Sequence, residues 1–184
     1  MICRKIDQTS TLSELDRANG ILNEFLSLST TKKELHTIVK LNILVESLYP
    51  LILADATNQG KKVVLETEEV LELTMNEREI RQLVLNLTRN GFEAMSSNGL
   101  LKIRTYMESG SVVLAVQDQG TGISKDILVR LGTPFLTTKE GGTGLGLATC
   151  YNIVKRHKVK IDVEYLPLPV RLSLLDFNCA RIDS

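Results

Sequence analysis

The 184-residue sequence predicts a domain of mixed helices and strands, and three observations carry that reading. Ile80, Leu83, Val84, Leu87, Gly91 and Ala94 fall on one face of a helix that starts at Asn76. Residues 101–106 and 112–117 are two β-rich runs around Glu108-Ser109-Gly110, the signature of a hairpin. A polar loop from Gly132 to Gly144, long for a compact domain, then leads into a second helical pattern over residues 145–156.

Bulk properties exclude several classes of function. With 22 basic and 22 acidic residues the formal net charge is zero, so no overall field favours nucleic acid or an anionic membrane surface. The longest apolar stretches, such as residues 51–54, fall far short of the roughly 20 residues needed to span a bilayer. Cys3, Cys150 and Cys179 have no spacing suited to metal or to a disulfide framework, and residues 1–7 lack the apolar core of a signal peptide. These features predict a chain of the reducing cytoplasm, with no contact to nucleic acid or membrane by this segment.

Taken in order, Leu15, Ala18, Leu22 and Phe25 recur at coiled-coil spacing over residues 13–28, with Thr11 or Ser13 as cap. A helix this short is marginal alone, so its stripe needs a partner helix, here read as one from another subunit. Ser29-Thr30-Thr31-Lys32-Lys33 reads as a hinge. Leu41, Leu44, Val45, Leu48 and Ile52 give a second amphipathic helix with Asn42 as its cap, and Pro50 implies a kink or a late start. Residues 62–66 and 70–73 read as short strands. Asn76 and Glu79 make a capping-box-like start for the central helix, on which Asn86, Asn90 and Glu93 form a polar ridge beside the apolar face. Residues 124–131 predict a short helix and residues 158–164 a strand.

Three of these stretches hold residue types suited to nucleotide chemistry. Asparagine offers a neutral carbonyl oxygen to hard Mg²⁺, which takes few protein ligands and completes its shell with phosphates and water, although asparagines on a helix edge commonly just face solvent. Asp118 ends a strand before Gly120 and Gly122, where a carboxylate can receive a donor such as an adenine amino group, although Asp-x-Gly-x-Gly also makes ordinary turns. Gly142-Thr143-Gly144-Leu145-Gly146 can offer backbone N–H groups to phosphates at a helix N-terminus. It is not a Walker P-loop, because no Gly-Lys-Ser/Thr follows.

Together, in order and spacing, these stretches resemble the ATP-binding domain of sensor histidine kinases, within the superfamily that also holds gyrase, chaperone and mismatch-repair ATPases. Residues 85–95 (Leu-Asn-Leu-Thr-Arg-Asn-Gly-Phe-Glu-Ala-Met) look like the N box and residues 118–122 like the first glycine box. Residues 134–139 (Pro-Phe-Leu-Thr-Thr-Lys) look like the F box and residues 142–147 like the second glycine box. The wording is similar to that of the kinases of sporulating bacilli. The resemblance covers residues 41–163 and implies an α+β fold, a two-layer α/β sandwich with a mixed sheet covered by helices on one face and ATP under a mobile lid.

By that resemblance Asn90, aided by Asn86, ligates Mg²⁺, Asp118 holds the adenine amino group, and Gly120 and Gly122 line the base. Thr138, Lys139 and Gly142, Thr143, Gly144 and Gly146 form the lid over the phosphates, with Arg89 a further phosphate contact. Ile123, Phe135, Leu145 and Leu147 complete the nucleotide-binding set, and Asn86, Asn90 and Lys139 are the catalytic candidates. The hydrolases of the superfamily carry a water-activating glutamate where this chain has Asn86. An amide cannot act as a general base, so the reading is phosphoryl transfer to a histidine rather than hydrolysis. Glu93 is a lesser candidate base.

The sequence departs from the family at two places. No His-Glu/Asp-x-x-Pro-like acceptor motif occurs, and His36 and His157 read as surface residues. Residues 1–30 accordingly look like the second helix of a dimerisation and phosphoacceptor hairpin, residues 31–165 like the ATP-binding domain, and residues 166–184 like an atypical tail in which residues 171–175 could add an edge strand. The implied partners are a phosphoacceptor histidine domain, a response regulator or phosphorelay protein, and a second copy in a full-length homodimeric kinase. The implied location is the cytoplasm, as a free protein or as the cytoplasmic part of a membrane-bound sensor. The rival readings are a free-standing kinase of the anti-sigma-factor type and a nucleotide-binding regulatory fragment without transferase activity.

Overall fold

A computed structural model of the chain describes residues 36–137, 139 and 142–163, together with the backbone of residues 164 and 171–177. The expected helix over residues 13–28, the hinge at 29–33, Thr138, and the tail segments 166–170 and 178–184 lie outside the described residues.

The described part opens with a strand that the sequence reading passed over. Thr37–Lys40 form β1, a run rich in β-branched residues, paired antiparallel with Glu72–Met75 (β3) so that Thr37 faces Met75 and Lys40 faces Glu72. Between them lie Leu41–Asn58 (α1) and Lys62–Thr67 (β2). The chain leaves β1 directly into α1, with Lys40 in an extended conformation at the N-cap and no side-chain cap. Asn42 is therefore not the cap. It sits inside the first turn, where its Oδ1 accepts the Ile43 N–H at 3.0 Å. α1 runs on through exposed Pro50 to Asn58, so the late start is excluded.

Glu77–Ala94 form α2, followed by Leu100–Glu108 (β4) and Ser111–Gln117 (β5). β4 and β5 are the expected hairpin, and Ser109 (φ 51°) and Gly110 (φ 84°) both take the left-handed region that a two-residue type I′ turn demands. The remaining elements are Lys125–Leu128 (α3), Gly146–Arg156 (α4), Ile161–Glu164 (β6) and Arg171–Phe177 (β7). The main sheet has the order β2-β4-β5-β7-β6, with β2 parallel to β4 and all other pairs antiparallel. β7 is thus not an edge strand. It is hydrogen-bonded on both sides, which a strand preceded but not interrupted by prolines can be.

α2 packs on α4, α1 and the face formed by β4 and β5. Ile80, Leu83 and Val84 of α2 are fully buried against Leu101 and Ile103 of β4 and Leu114 of β5, within one core that also takes in α1 and α4. That is a mixed sheet with helices on one face, the α+β sandwich expected.

Both ends of α2 are tied down. Asn76 Oδ1 accepts the Glu79 N–H at 3.1 Å, the expected cap, but Glu79 does not complete a capping box. Its carboxylate lies 2.7 Å from Arg156 Nη2, and the Asn76 N–H donates instead to His157 Nε2 at 3.1 Å. At the other end the Lys61 ammonium donates to the Phe92 carbonyl. His157 is accordingly not a surface residue: its side chain is 2% exposed, with Nδ1 2.9 Å from the Ile153 carbonyl. A ring that accepts at Nε2 and donates at Nδ1 is neutral. Burial pushes its pKa below the ordinary value of 6.5, against the opposing pull of the Ile153 carbonyl and Glu79.

A pH dependence follows from that ring. Because the folded pKa is depressed, the unfolded chain binds the proton first, and stability is full above about pH 6.5 and falls as the pH drops towards the folded value. The urea midpoint of the wild type should decline over that window, and His157→Gln should flatten the slope. An equal slope in the variant would assign the loss to other groups.

Candidate functional site

The polar ridge of α2 faces the start of α4. Asn86 Nδ2 donates to the Gly146 carbonyl at 3.3 Å, so the first turn of α4 is fastened to the middle of α2. Asn90, one turn on, abuts the same glycine: a Cβ at Gly146 would stand 3.7 Å from both amide atoms of Asn90. Asn90 Nδ2 is buried and has no hydrogen-bond partner. Leaving a buried donor unpaired costs about 1–3 kcal/mol, so this amide is set for a ligand rather than for the fold. Its carbonyl suits a hard cation such as Mg²⁺ and its N–H₂ a phosphate oxygen, and the residues present therefore fit a nucleotide–metal complex.

Asp118 leaves the end of β5 beside α2 and is 7% exposed. Its Oδ1 accepts the Gly120 N–H at 2.8 Å, which fixes the carboxylate plane. Burial raises its pKa, opposed by the Gly120 hydrogen bond and by the charge of Lys139. Two glycines make this approach possible. A Cβ at Gly91 would come within 2.5 Å of Leu101 Cδ1 and 3.3 Å of Asp118 Cβ, and one at Gly120 would meet Asp118 Oδ1 at 2.6 Å and the Ala94 carbonyl oxygen at 2.8 Å. Gly122 (φ 75°) turns the chain away, and Ile123 is half-buried behind it.

The loop before α4 folds back on itself. Phe135 (φ 65°) donates its N–H to the Gly144 carbonyl at 3.0 Å, and Gly144 (φ 66°) admits no side chain, since a Cβ would lie 2.5 Å from the Phe135 carbonyl carbon. Phe135 is 63% exposed. Thr143 Oγ1 accepts the Leu145 N–H at 3.3 Å as the chain enters α4, Leu145 is fully buried and Leu147 packs on the core. The first-turn N–H groups of α4, which have no carbonyl partner inside the helix, thereby open beside Asn86 and Asn90. Gly142 closes a turn by donating to the Lys139 carbonyl at 3.2 Å. Lys139 Nζ reaches across to Glu93 Oε2 at 2.8 Å, while Glu93 Oε1 takes Arg89 Nε at 3.0 Å. Burial raises the Glu93 pKa, but the hydrogen bonds and charges of Lys139 and Arg89 outweigh it and hold the carboxyl below its usual value.

Residues 75–172, more than half of the chain, match the family described as "Histidine kinase-, DNA gyrase B-, and HSP90-like ATPase". The chain belongs to that family. Among relatives, Sporulation kinase D of Bacillus subtilis (strain 168) is 33% identical over 153 residues, covering 82% of this chain and 30% of the kinase. The chain thus spans about a third of the length of that relative. Among solved structures, the nucleotide-free catalytic domain of histidine kinase ThkA has a TM-score of 0.69 at 29% identity, covering 76% of this chain and 93% of that domain. ThkA in complex with the response regulator protein TrrA has a TM-score of 0.76 at 26% identity, covering 95% of this chain and 52% of that one.

Within this histidine kinase-like ATPase fold, the structure brings Asn86, Asn90, Gly146 and the start of α4 together, and it sets Asp118 beside Gly91 one residue further along α2. Arg89, Lys139 and Glu93 form an ionic cluster on the same ridge. Thr138 falls outside the described residues. Beyond their places in the apolar face and the N box, Gly91 and Ala94 determine how close Asp118 and Gly120 lie to the helix. A glycine inside a helix costs about 1 kcal/mol relative to alanine, and that cost was the available signal of a close approach. Among the described residues, no helix is long and apolar enough to cross a membrane.

Proposed function

We propose that this chain is the ATP-binding catalytic part of a cytoplasmic two-component sensor histidine kinase. In this reading residues 31–165 bind ATP with Mg²⁺, and the terminal phosphoryl group passes to a histidine of a phosphoacceptor hairpin of which residues 1–30 are the second helix. A response regulator or phosphorelay protein then takes it from the histidine, within a homodimeric kinase. The observation that carries the proposal is the unpartnered Asn90 amide beside Asn86 and the start of α4.

The chain's own residues divide the work. Asn90 and Asn86 would hold Mg²⁺, which when bound neutralises charge on the phosphates. Asp118 accepts the adenine amino group and fixes the base. The α4 amides, Lys139 and Arg89 bind and orient the phosphates, so that an acceptor imidazole nitrogen attacks the terminal phosphorus in line while the bond to the β-phosphate oxygen breaks and ADP leaves. Asn86 offers no base to activate water, which favours transfer over hydrolysis. The two histidines among the described residues also favour a separate acceptor. His157 is buried as the structural partner of Asn76, and His36 has its ring centroid 5.5 Å from that of His157.

Incubation with γ-labelled ATP, Mg²⁺ and a separately produced acceptor hairpin should place the label on the hairpin histidine. Nucleotide binding with no label on any acceptor would overturn transfer and favour a regulatory nucleotide-binding module. Label on serine or threonine of a protein partner would favour the anti-sigma-factor type of kinase.

A further inference from the structure

The ridge of α2 carries a carboxylate that the proposed reaction does not use. Glu93 spends one oxygen on Arg89 and the other on Lys139, at 3.0 and 2.8 Å, and so joins the helix to the loop before α4. Neither cation is exhausted by this contact. Glu93 takes one of the three Lys139 donors and the Nε of Arg89, leaving two ammonium N–H groups and the Nη fork of the guanidinium for other acceptors. Arg89 also adjoins Asn90, the residue whose amide awaits a ligand.

A lone surface ion pair is worth little, and a bare carboxylate beside a triphosphate would repel it. The bridged arrangement differs from both. Two cations and one anion leave the cluster with a net positive charge, and the bridge restrains two long side chains whose freedom would otherwise be lost on binding. We propose that Glu93 is a positioning residue for the terminal phosphate of the nucleotide, bridging Arg89 on α2 and Lys139 on the loop so that their remaining donors act on that phosphate together. The inference rests on the ATP-binding reading and adds a residue that discriminates ATP from ADP. In this role Glu93 serves as a bridge between two cations rather than as a base.

The test is calorimetric titration of the full chain with ATP and with ADP, each with Mg²⁺, for the wild type and Glu93→Gln. Glutamine keeps one acceptor oxygen but sets an N–H₂ donor against the other cation, which breaks the bridge. The preference for ATP over ADP should fall about two- to fivefold, the span expected of a half-exposed ion pair, with the melting temperature unchanged. An anion that merely repels phosphate predicts the opposite sign, because its removal would favour the more highly charged ATP. A preference that is unchanged or increased, or parallel weakening of both nucleotides, overturns the proposal. In a Lys139→Ala background Glu93→Gln should lose most of its effect on the preference, and full persistence would also overturn it. A wild-type chain that binds neither nucleotide would overturn the ATP-binding reading as well, and is seen before any variant is compared.

Discussion

Asn90→Ala is expected to lower ATP affinity in the presence of Mg²⁺ on the order of a hundredfold while leaving the weaker Mg²⁺-free affinity nearly unchanged. The side chain stands at the meeting of α2 with the first turn of α4, and its Nδ2 is buried without a partner, as is Thr149 Oγ1 on the α4 side. Truncation removes both the carbonyl suited to the cation and the donor suited to a phosphate oxygen. It does little harm to the fold, because the buried Asn90 Nδ2 makes no hydrogen bond and alanine is the better helix former by some tenths of a kcal/mol. The expected pattern is thus a variant as stable as the wild type, or more so, that no longer responds to Mg²⁺. Titration with and without chelator separates the outcomes. Equal affinity with Mg²⁺ in variant and wild type would remove Asn90 from the metal site, and a lowered melting temperature would recast it as a packing residue.

How far the site was legible follows from the range over which each signal acts. The ridge of Asn86, Asn90 and Glu93 needs only the period of one helix, so α2 was readable with its apolar face and its Asn76 cap. The β4–β5 hairpin is likewise local, set by Ser109 and Gly110. β1 escaped notice because four residues give too little alternation, and its partner β3 lies more than thirty positions away. The place of β7 between β5 and β6 is non-local in the same sense, since nothing in residues 171–177 marks which neighbours they will find. His157 was misread because exposure was inferred from residue type, whereas its burial comes from the Asn76 N–H, a group 81 positions away. Glu93 carries a related lesson. Its spacing from Asn90 put it on the ridge, but only the folded loop brings Lys139 to it, opposite the oxygen that takes Arg89.

Asp118→Asn is expected to separate stability from recognition and to reverse the choice of base. In the folded chain Asp118 is buried and its pKa is raised, so the ionised carboxylate costs the native state free energy at neutral pH. The sign follows from linkage. The unfolded carboxyl loses its proton near its ordinary value of 3.8, the folded one at a higher pH, and stability declines as the pH rises between the two. Asparagine is uncharged, keeps a carbonyl oxygen for the Gly120 N–H, and fits between Gly91 and Gly120 without added volume. Its melting temperature at neutral pH should therefore equal or exceed that of the wild type. Binding should move the other way. With the carbonyl held by Gly120, the amide presents N–H₂ where the carboxylate presented a second acceptor, and donor then meets the donor amino group of adenine. A buried donor facing a donor is worth roughly 2–4 kcal/mol of lost discrimination, or on the order of thirty- to a thousandfold in affinity for ATP. Inosine triphosphate, with a carbonyl in place of that amino group, should lose nothing and should bind the variant better than ATP does. Competition between the two nucleotides measures the reversal directly. If Asp118→Asn weakens both equally, the carboxylate shapes the pocket without reading the base, and the adenine contact lies elsewhere.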